Sequence, residues 1–335
     1  ARNKDKIRVI NARHEQGVAY MAMGHAYSTG KPAVFAVVPG PGVLNTMAAI
    51  ATAQSVNVPI LCLSGEIPSE MIGKGRGALH EIPDQLGTLR TLVKWAKRIE
   101  HPTQAPDLVA QAFREMLSDR PGPVALEISP DQLTAVADIA VQDPFPLRPA
   151  TPPDSERIAA LAQALNDAEH PILWTGGGSL NAAPQVLALA EKLGAPVMAN
   201  RTARGVVDDR HPLAHNMASI YPLWDQADVV LGIGTRMEAA RYGGFGAQMT
   251  TARIDVDPAE GRRLKVDIGI TADAAAALDA LLPLIKDRDT TGAVAASNGA
   301  KQAQHEEIQK LAPQVPFVNA IREALPENGI FCDEM

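Results

Sequence analysis

Cysteine is scarce in this chain: among 335 residues there are two, Cys62 and Cys332. Two isolated thiols supply neither a disulfide framework nor the paired spacing of a metal site, and each lies in an apolar run that reads as a strand. Both are expected to be buried and inert, since free cysteine packs as a small hydrophobe, and a reducing, cytoplasmic setting is expected with them. Basic charge is not in excess either. The net charge is −7 and the pI is near 5.6, which argues against nucleic acid or an anionic membrane as a main partner. No signal-peptide pattern is visible. Charged residues of both signs are missing between positions 32 and 65. Even so, Pro39, Gly40, Pro41, Asn45, Gln54, Ser55, Asn57 and Pro59 interrupt that stretch. It never offers the ~20 continuous apolar residues that a membrane span needs, and it reads instead as the buried centre of a domain.

What is present is ordinary for a globular protein, with 46% hydrophobic and 21% charged residues, and the length predicts two to three domains. Short apolar, β-rich runs recur: "IRVI", "AVFAVV", "VPILCL", "PVALEI", "PILWT", "DVVLGI", "ARIDVD" and "GIFCD". Helical stretches such as "PDLVAQAFREMLSD", "SERIAALAQALNDA" and "APQVLALAEKLG" separate them. Strands that alternate with helices and are apolar on both faces predict an α/β protein of successive doubly wound domains with mostly parallel sheets. The proline-rich "DPFPLRPATPPD", residues 143–154, reads as an extended linker. The predicted domains are therefore 1–140 and 155–285, followed by 286–335 as a linker and the start of a third domain. The chain opens straight into a strand and stops after one with no crossover helix, so truncation at both ends is expected.

The first domain concentrates the chemistry. Glu15, in "RHEQG", falls between the run "IRVI" and a helix, and ligands of open parallel sheets bind at the carboxyl ends of strands. A helix-start acid favoured by the macrodipole explains Glu15 more plainly, at ~0.3–1 kcal/mol. The surroundings favour a functional role. Gly17, Ala19, Ala22, Gly24 and Ala26 let another backbone approach, and "VVPGPGVLNTM" places a Gly-Pro-Gly turn before a second charge-free helix. Apolar neighbours would raise the Glu15 pKa and let it share a proton with a bound base.

The run from "RHEQGVAYMAMGHAYSTGK" through "GPGVLN" and "PILCLSGEIP" to "RPGPVALEISPD" resembles the pyrimidine-binding domain of thiamine-diphosphate enzymes of the acetolactate synthase-like superfamily. "HPILWTGGGSLNAAPQVLALAEKLGAPVM" and "DVVLGIGTRM…RIDVDPAE" are similar to that family's central domain, so the resemblance covers nearly the whole chain. It implies a thiamine-diphosphate-binding fold plus a Rossmann-like central domain. It also implies that Glu15 hydrogen-bonds N1′ of the aminopyrimidine and favours the tautomer that deprotonates the thiazolium carbon. Pro39, Gly40 and Asn45 are implied as cofactor-binding. His80, in "GRGALHEIPDQLG", aligns with a segment that serves the reacting carbon from a neighbouring subunit. Glu81 and Gln85 read as packing and surface partners.

The implied cofactors are thiamine diphosphate and Mg²⁺. The "GDG…N" motif that ligates the metal does not occur here, so no metal ligand is expected among these residues. Gly176–Gly178 form a glycine-rich strand-to-helix turn, and Arg236 matches an arginine that faces a nucleotide where one is bound. The segment "AARYGGFGAQMTTARID" shows no pattern tied to flavin, so a structural domain without FAD is the preferred reading. The activity implied is C–C bond formation or cleavage on 2-oxo acids or 2-hydroxy ketones by a homodimer or tetramer. A benzaldehyde-lyase-like or 2-hydroxyacyl-CoA-lyase-like enzyme is the alternative within the class. Outside it stands a catalytically silent nucleotide-binding or regulatory protein that keeps the fold. Val38 occupies the place of a histidine found in some decarboxylases, and Glu15 argues against glyoxylate carboligase, where an aliphatic residue replaces the acid.

Overall fold

Parallel strands joined through helices build both halves of the chain, as the alternating pattern predicts. A computed structural model describes residues 6–141, 143–238 and 244–332. The chain divides into two compact units, Ala1–Ala150 and Thr151–Met335.

In the first unit, helix α1 (Glu15–Thr29) leads to β1 (Ala33–Val37), α2 (Pro41–Val56) and β2 (Ile60–Gly65). Helix α3 (Gln85–Arg90), β3 (Trp95–Ile99), α4 (Ala105–Leu117), β4 (Val124–Ile128) and α5 (Pro130–Thr134) follow. The strands form one parallel sheet in the order β1-β2-β4-β3, with Ala33 opposite Ile60 and Cys62 opposite Ala125. Successive residues of β2 serve opposite faces. Ile60 and Cys62 pack with Ala19, Ala22 and Ala26 of α1, whereas Leu61 packs with Val124, Leu126 and Met116. Gly30 ends α1 in the left-handed region at φ 67°, its N–H donating to the Ala26 carbonyl. Pro41 starts α2 at a position where its missing N–H costs nothing. The segment 143–150 is extended but tied back. Arg148 pairs with Glu115 and Asp119, and Arg114 lies over the Phe145 ring at 5.3 Å.

The second unit has a six-stranded parallel sheet in the order β10-β9-β8-β5-β6-β7. Its strands are β5 (Pro171–Thr175), β6 (Val197–Ala199), β7 (Ala214–His215), β8 (Val229–Ile233), β9 (Thr250–Asp255) and β10 (Ile268–Thr271). Its helices are α6 (Ser155–Asp167), α7 (Ala183–Leu193), α8 (Tyr221–Trp224), α9 (Glu260–Arg263), α10 (Ala274–Leu281), α11 (Thr291–Gln309) and α12 (Gln314–Ala324). Leu173, Val197 and Leu231 fill one face of the sheet and Trp174, Met198 and Val230 the other. Helix α11 is attached by Ser297, whose buried hydroxyl donates to the Pro212 carbonyl and lies 2.6 Å from His215 Nε2. Since that hydroxyl donates to Pro212, it accepts the proton of Nε2, and His215 Nδ1 lies 3.0 Å from Ser219 Oγ.

Three expectations are corrected. "IRVI" forms no strand: residues 7–10 lie outside the four-stranded sheet, without the neighbouring ladder that defines a strand, and Ile7, Val9 and Ile10 are exposed. "GIFCD" forms none over its described residues, and Cys332 is exposed rather than buried. Cys62 is buried as expected, and burial pushes its thiol up to about 12. The terminal "ARNKD" and "DEM" lie outside the described residues, as do residues 239–243 of the segment read for flavin contacts.

Candidate functional site

Helix α1 begins at Glu15, and the side chain of His14 caps it, Nδ1 accepting from the Gln16 N–H at 3.2 Å. The half-buried Glu15 carboxylate faces the start of α2, where Asn45 Nδ2 donates to Oε2 at 3.0 Å. The structure thus brings together two of the sequence candidates thirty positions apart. The expected rise in the Glu15 pKa is overturned. Its own backbone N–H and then the Asn45 amide hold the carboxyl below the usual carboxylate range, and neighbouring His14 adds to this. Donors to the charged form outweigh desolvation while the carboxylate remains partly open to water.

Pro39 and Gly40 make the turn between β1 and α2. Gly40 is buried at φ 57°, ψ −115°, and a Cβ there would stand 2.2 Å from the His80 carbonyl oxygen. Only glycine fits that position. Two residues on, a Cβ at Gly42 would meet Val38 Cγ2 at 2.6 Å and come within 3.7 Å of Glu15 Cγ. The missing side chain lets Val38 and Glu15 pack against the start of α2. His80 therefore meets the turn through its backbone. It adopts φ 71° after a loop in which Gly73, Gly75 and Gly77 are all left-handed, and no described residue hydrogen-bonds its imidazole.

Two residues set aside in the sequence prove to be built in. Gln85 is 1% exposed, and its Oε1 accepts from the Gly40 N–H at 2.7 Å. Glu81 Oε2 accepts from the Ala78 N–H at 2.8 Å and so closes the loop that carries His80. A polar side chain placed at a helix start gives no sign of a partner 45 residues away, so Gln85 was not readable from spacing.

In the second unit the glycine turn is closed on its own backbone. The N–H groups of Gly176 and Gly178 donate to the carbonyls of Ile233 and Gly234 at 3.0 and 3.2 Å. A Cβ at Gly176 would stand 2.2 Å from the Gly234 oxygen. Arg236 is half-buried, and its carbonyl accepts from Arg263 at 3.1 Å. Among the described residues no group of three or more His, Cys, Asp or Glu could hold a metal ion. None of the described helices is long and apolar enough to cross a membrane.

A doubly wound domain whose first helix presents an acid beside a Gly-Pro-Gly turn, followed by a Rossmann-ordered sheet, defines the class of two-domain cofactor-binding α/β proteins. Comparison with known proteins narrows it. The family model described as thiamine pyrophosphate enzyme, N-terminal TPP binding domain, matches residues 1–88, and that of the central domain matches residues 158–281. The chain belongs to the thiamine pyrophosphate enzymes. It is 35% identical to the acetolactate synthase isozyme 1 large subunit of Escherichia coli K12, over 84% of this chain and 51% of that protein. It is 32% identical to a protein of Pseudomonas aeruginosa named a probable 2-ketoarginine decarboxylase, over 98% of this chain and 61% of that one. The benzoylformate decarboxylase of Polynucleobacter necessarius shares the fold, with a TM-score of 0.74 at 23% identity over 87% of this chain and 57% of that chain. The chain thus spans between half and two thirds of the length of these relatives.

Proposed function

We propose that the protein is a thiamine-diphosphate-dependent enzyme that forms or cleaves C–C bonds of 2-oxo acids or 2-hydroxy ketones in the manner of an acetolactate synthase. The observation that carries this reading is the Glu15–Asn45 hydrogen bond beside the side-chain-free Gly42. The residues present fit the pyrimidine half of the cofactor: a carboxylate that accepts, an amide that fixes its second oxygen, and a backbone stripped of side chains alongside. When bound, thiamine diphosphate supplies a thiazolium carbon that acts as an electron sink for the carbanion formed at the substrate carbonyl.

Asn45 holds one oxygen of Glu15, and the carboxylate would share a proton with the ring nitrogen N1′ of the bound cofactor. With its pKa held low, Glu15 is ionised at neutral pH and acts first as an acceptor. An apolar ring laid over it would remove water and raise that pKa, which is the direction needed for holding a proton between the two groups. Pro39 and Gly40 shape the turn beside Glu15, and in this reading His80 has the role of serving the reacting carbon from a neighbouring subunit. Mg²⁺, implied together with the cofactor, finds no group of metal ligands among the described residues. Exposed Tyr20 and Tyr27 on one stripe of α1, with Leu44 on α2, suit the homodimer or tetramer proposed, and two reduced cysteines suit the cytoplasm.

Glu15→Gln in the full-length chain is expected to keep the fold and lower thiamine-dependent turnover at least about a hundredfold, as removal of a proton-transfer group does. Near-normal turnover would sink the assignment. A panel of 2-oxo acids, acyloins and acyl-CoA thioesters separates decarboxylation, carboligation and lyase activity.

A further inference from the structure

We propose that Gln85 is a positioning residue that holds the Gly40–Pro41 turn, and through it the Asn45–Glu15 pair, by its buried side-chain amide. The inference rests on the functional reading above. A primary amide is the one neutral side chain that offers an acceptor and two donors on a single rigid group. Gln85 uses all of them. Its Nε2 donates to the Gly65 carbonyl at 2.9 Å and to Glu127 Oε2 at 3.0 Å, with Ser64 Oγ at 3.3 Å. The oxygen is left facing the Gly40 N–H at 2.7 Å. The orientation is determined by these partners, because Gly65 O and the Glu127 carboxylate only accept.

Glu127 is itself fully buried on β4 and takes a 2.6 Å hydrogen bond from Arg98 Nε on β3. Arg98 also reaches the buried Glu66 at 3.5 Å. A polar chain therefore runs from Arg98 through Glu127 and Gln85 to the turn. At its end Gly40 is clamped between the Gln85 oxygen and the His80 backbone, in a conformation reserved for glycine. The Gly40 carbonyl in turn accepts from the Leu44 N–H at 3.0 Å, so the turn sets the first turn of α2. Asn45 stands immediately after Leu44. A rotation at Gly40 displaces its amide from Glu15, whereas ordinary core packing would place no such demand on one particular amide.

The test uses the full-length chain with Gln85→Met, which keeps the shape and loses both the acceptor and the donors, and Gln85→Glu. Leu89→Ala, fully buried on the same helix, controls for lost stability alone. Amide hydrogen exchange over residues 39–45 and titration with thiamine diphosphate are the two measurements. In Gln85→Met, exchange at the turn is expected to rise about tenfold relative to the rest of the first unit, and thiamine diphosphate to bind about tenfold more weakly, the effect of one buried hydrogen bond. Leu89→Ala should raise exchange evenly and leave that affinity within about twofold. Gln85→Glu should recover affinity as pH falls, since a protonated carboxyl donates to Glu127 again, while Gln85→Met shows no such recovery. If turn exchange and affinity in Gln85→Met match those of Leu89→Ala, the proposal is overturned. Failure of the unaltered chain to bind thiamine diphosphate would instead overturn the functional reading, and the exchange comparison would still decide whether Gln85 holds the turn.

Discussion

The two units end a parallel strand in the same way, with a glycine turn into a helix, and use it differently. After β1, the Gly40 amide is held by a side chain 45 positions away, and the helix that follows presents Asn45 to Glu15. After β5, the Gly176 and Gly178 amides are consumed by main-chain carbonyls at the end of β8. Behind that second turn, Trp174 Nε1 donates to Asn200 Oδ1 and Asn200 Nδ2 donates to Thr235, both at 2.9 Å, which locks it from below. The lesson is that glycines make a close approach available, and the partners of their amides decide whether it becomes a site or a joint.

The largest effect is expected where that joint is anchored. Trp174 is 1% exposed and meets Trp224 edge-on at 5.7 Å. Trp174→Ala should cost about 3–5 kcal/mol, read as a lower urea midpoint for the second unit, because a large cavity opens and Asn200 loses its donor. A loss below about 1 kcal/mol would mean that the second turn is not locked as described.

A slightly smaller effect separates the units by pH. Burial, aided by the charge of Lys301, lowers the His215 pKa to about 4. The folded state then binds no proton until pH 4, whereas the unfolded chain binds one below about 6.5. Stability therefore rises with pH across that window. As pH falls from 6.5 to 4, the second unit should lose up to roughly 3 kcal/mol, and His215→Gln should flatten the slope. Urea unfolding at pH 7 and pH 4.5 reads both. An unchanged slope in the variant would assign the pH dependence elsewhere.

Much of this architecture is legible in the sequence, because buried parallel strands are apolar on both faces and appear as short continuous runs. "AVFAVV", "VPILCL" and "PILWT" all form strands where expected. The omissions have physical causes. "WAKRI" is an edge strand with Lys97 exposed, and "VMA" is only three residues long, so neither shows a clear period. "IRVI" has the composition of a strand and lacks a ladder partner, a condition that composition cannot report. At the site, Glu15 and Asn45 were readable as a pair of motifs. The low pKa of Glu15 was not, because it depends on which donors reach the carboxylate rather than on how apolar the neighbouring sequence is.

The smallest expected effects come from a matched pair of glycine replacements, and they test the contrast most directly. In Gly176→Ala the new methyl meets the Gly234 carbonyl at 2.2 Å, and backbone on both sides cannot yield without moving a strand end. A cost of about 1–3 kcal/mol is expected, with the second unit unfolding earlier. In Gly42→Ala the contact is Val38 Cγ2, a side-chain atom of a residue that is 49% exposed and can yield toward solvent where backbone cannot. Its stability cost should stay within about 0.5 kcal/mol. The same methyl comes within 3.7 Å of Glu15 Cγ, so thiamine diphosphate binding should weaken while the fold is unaffected. Titration calorimetry and urea unfolding on the two variants read the two arms. An equal stability loss in both, with affinity untouched in Gly42→Ala, would mean that the first turn is as closed as the second and that Gly42 guards no site.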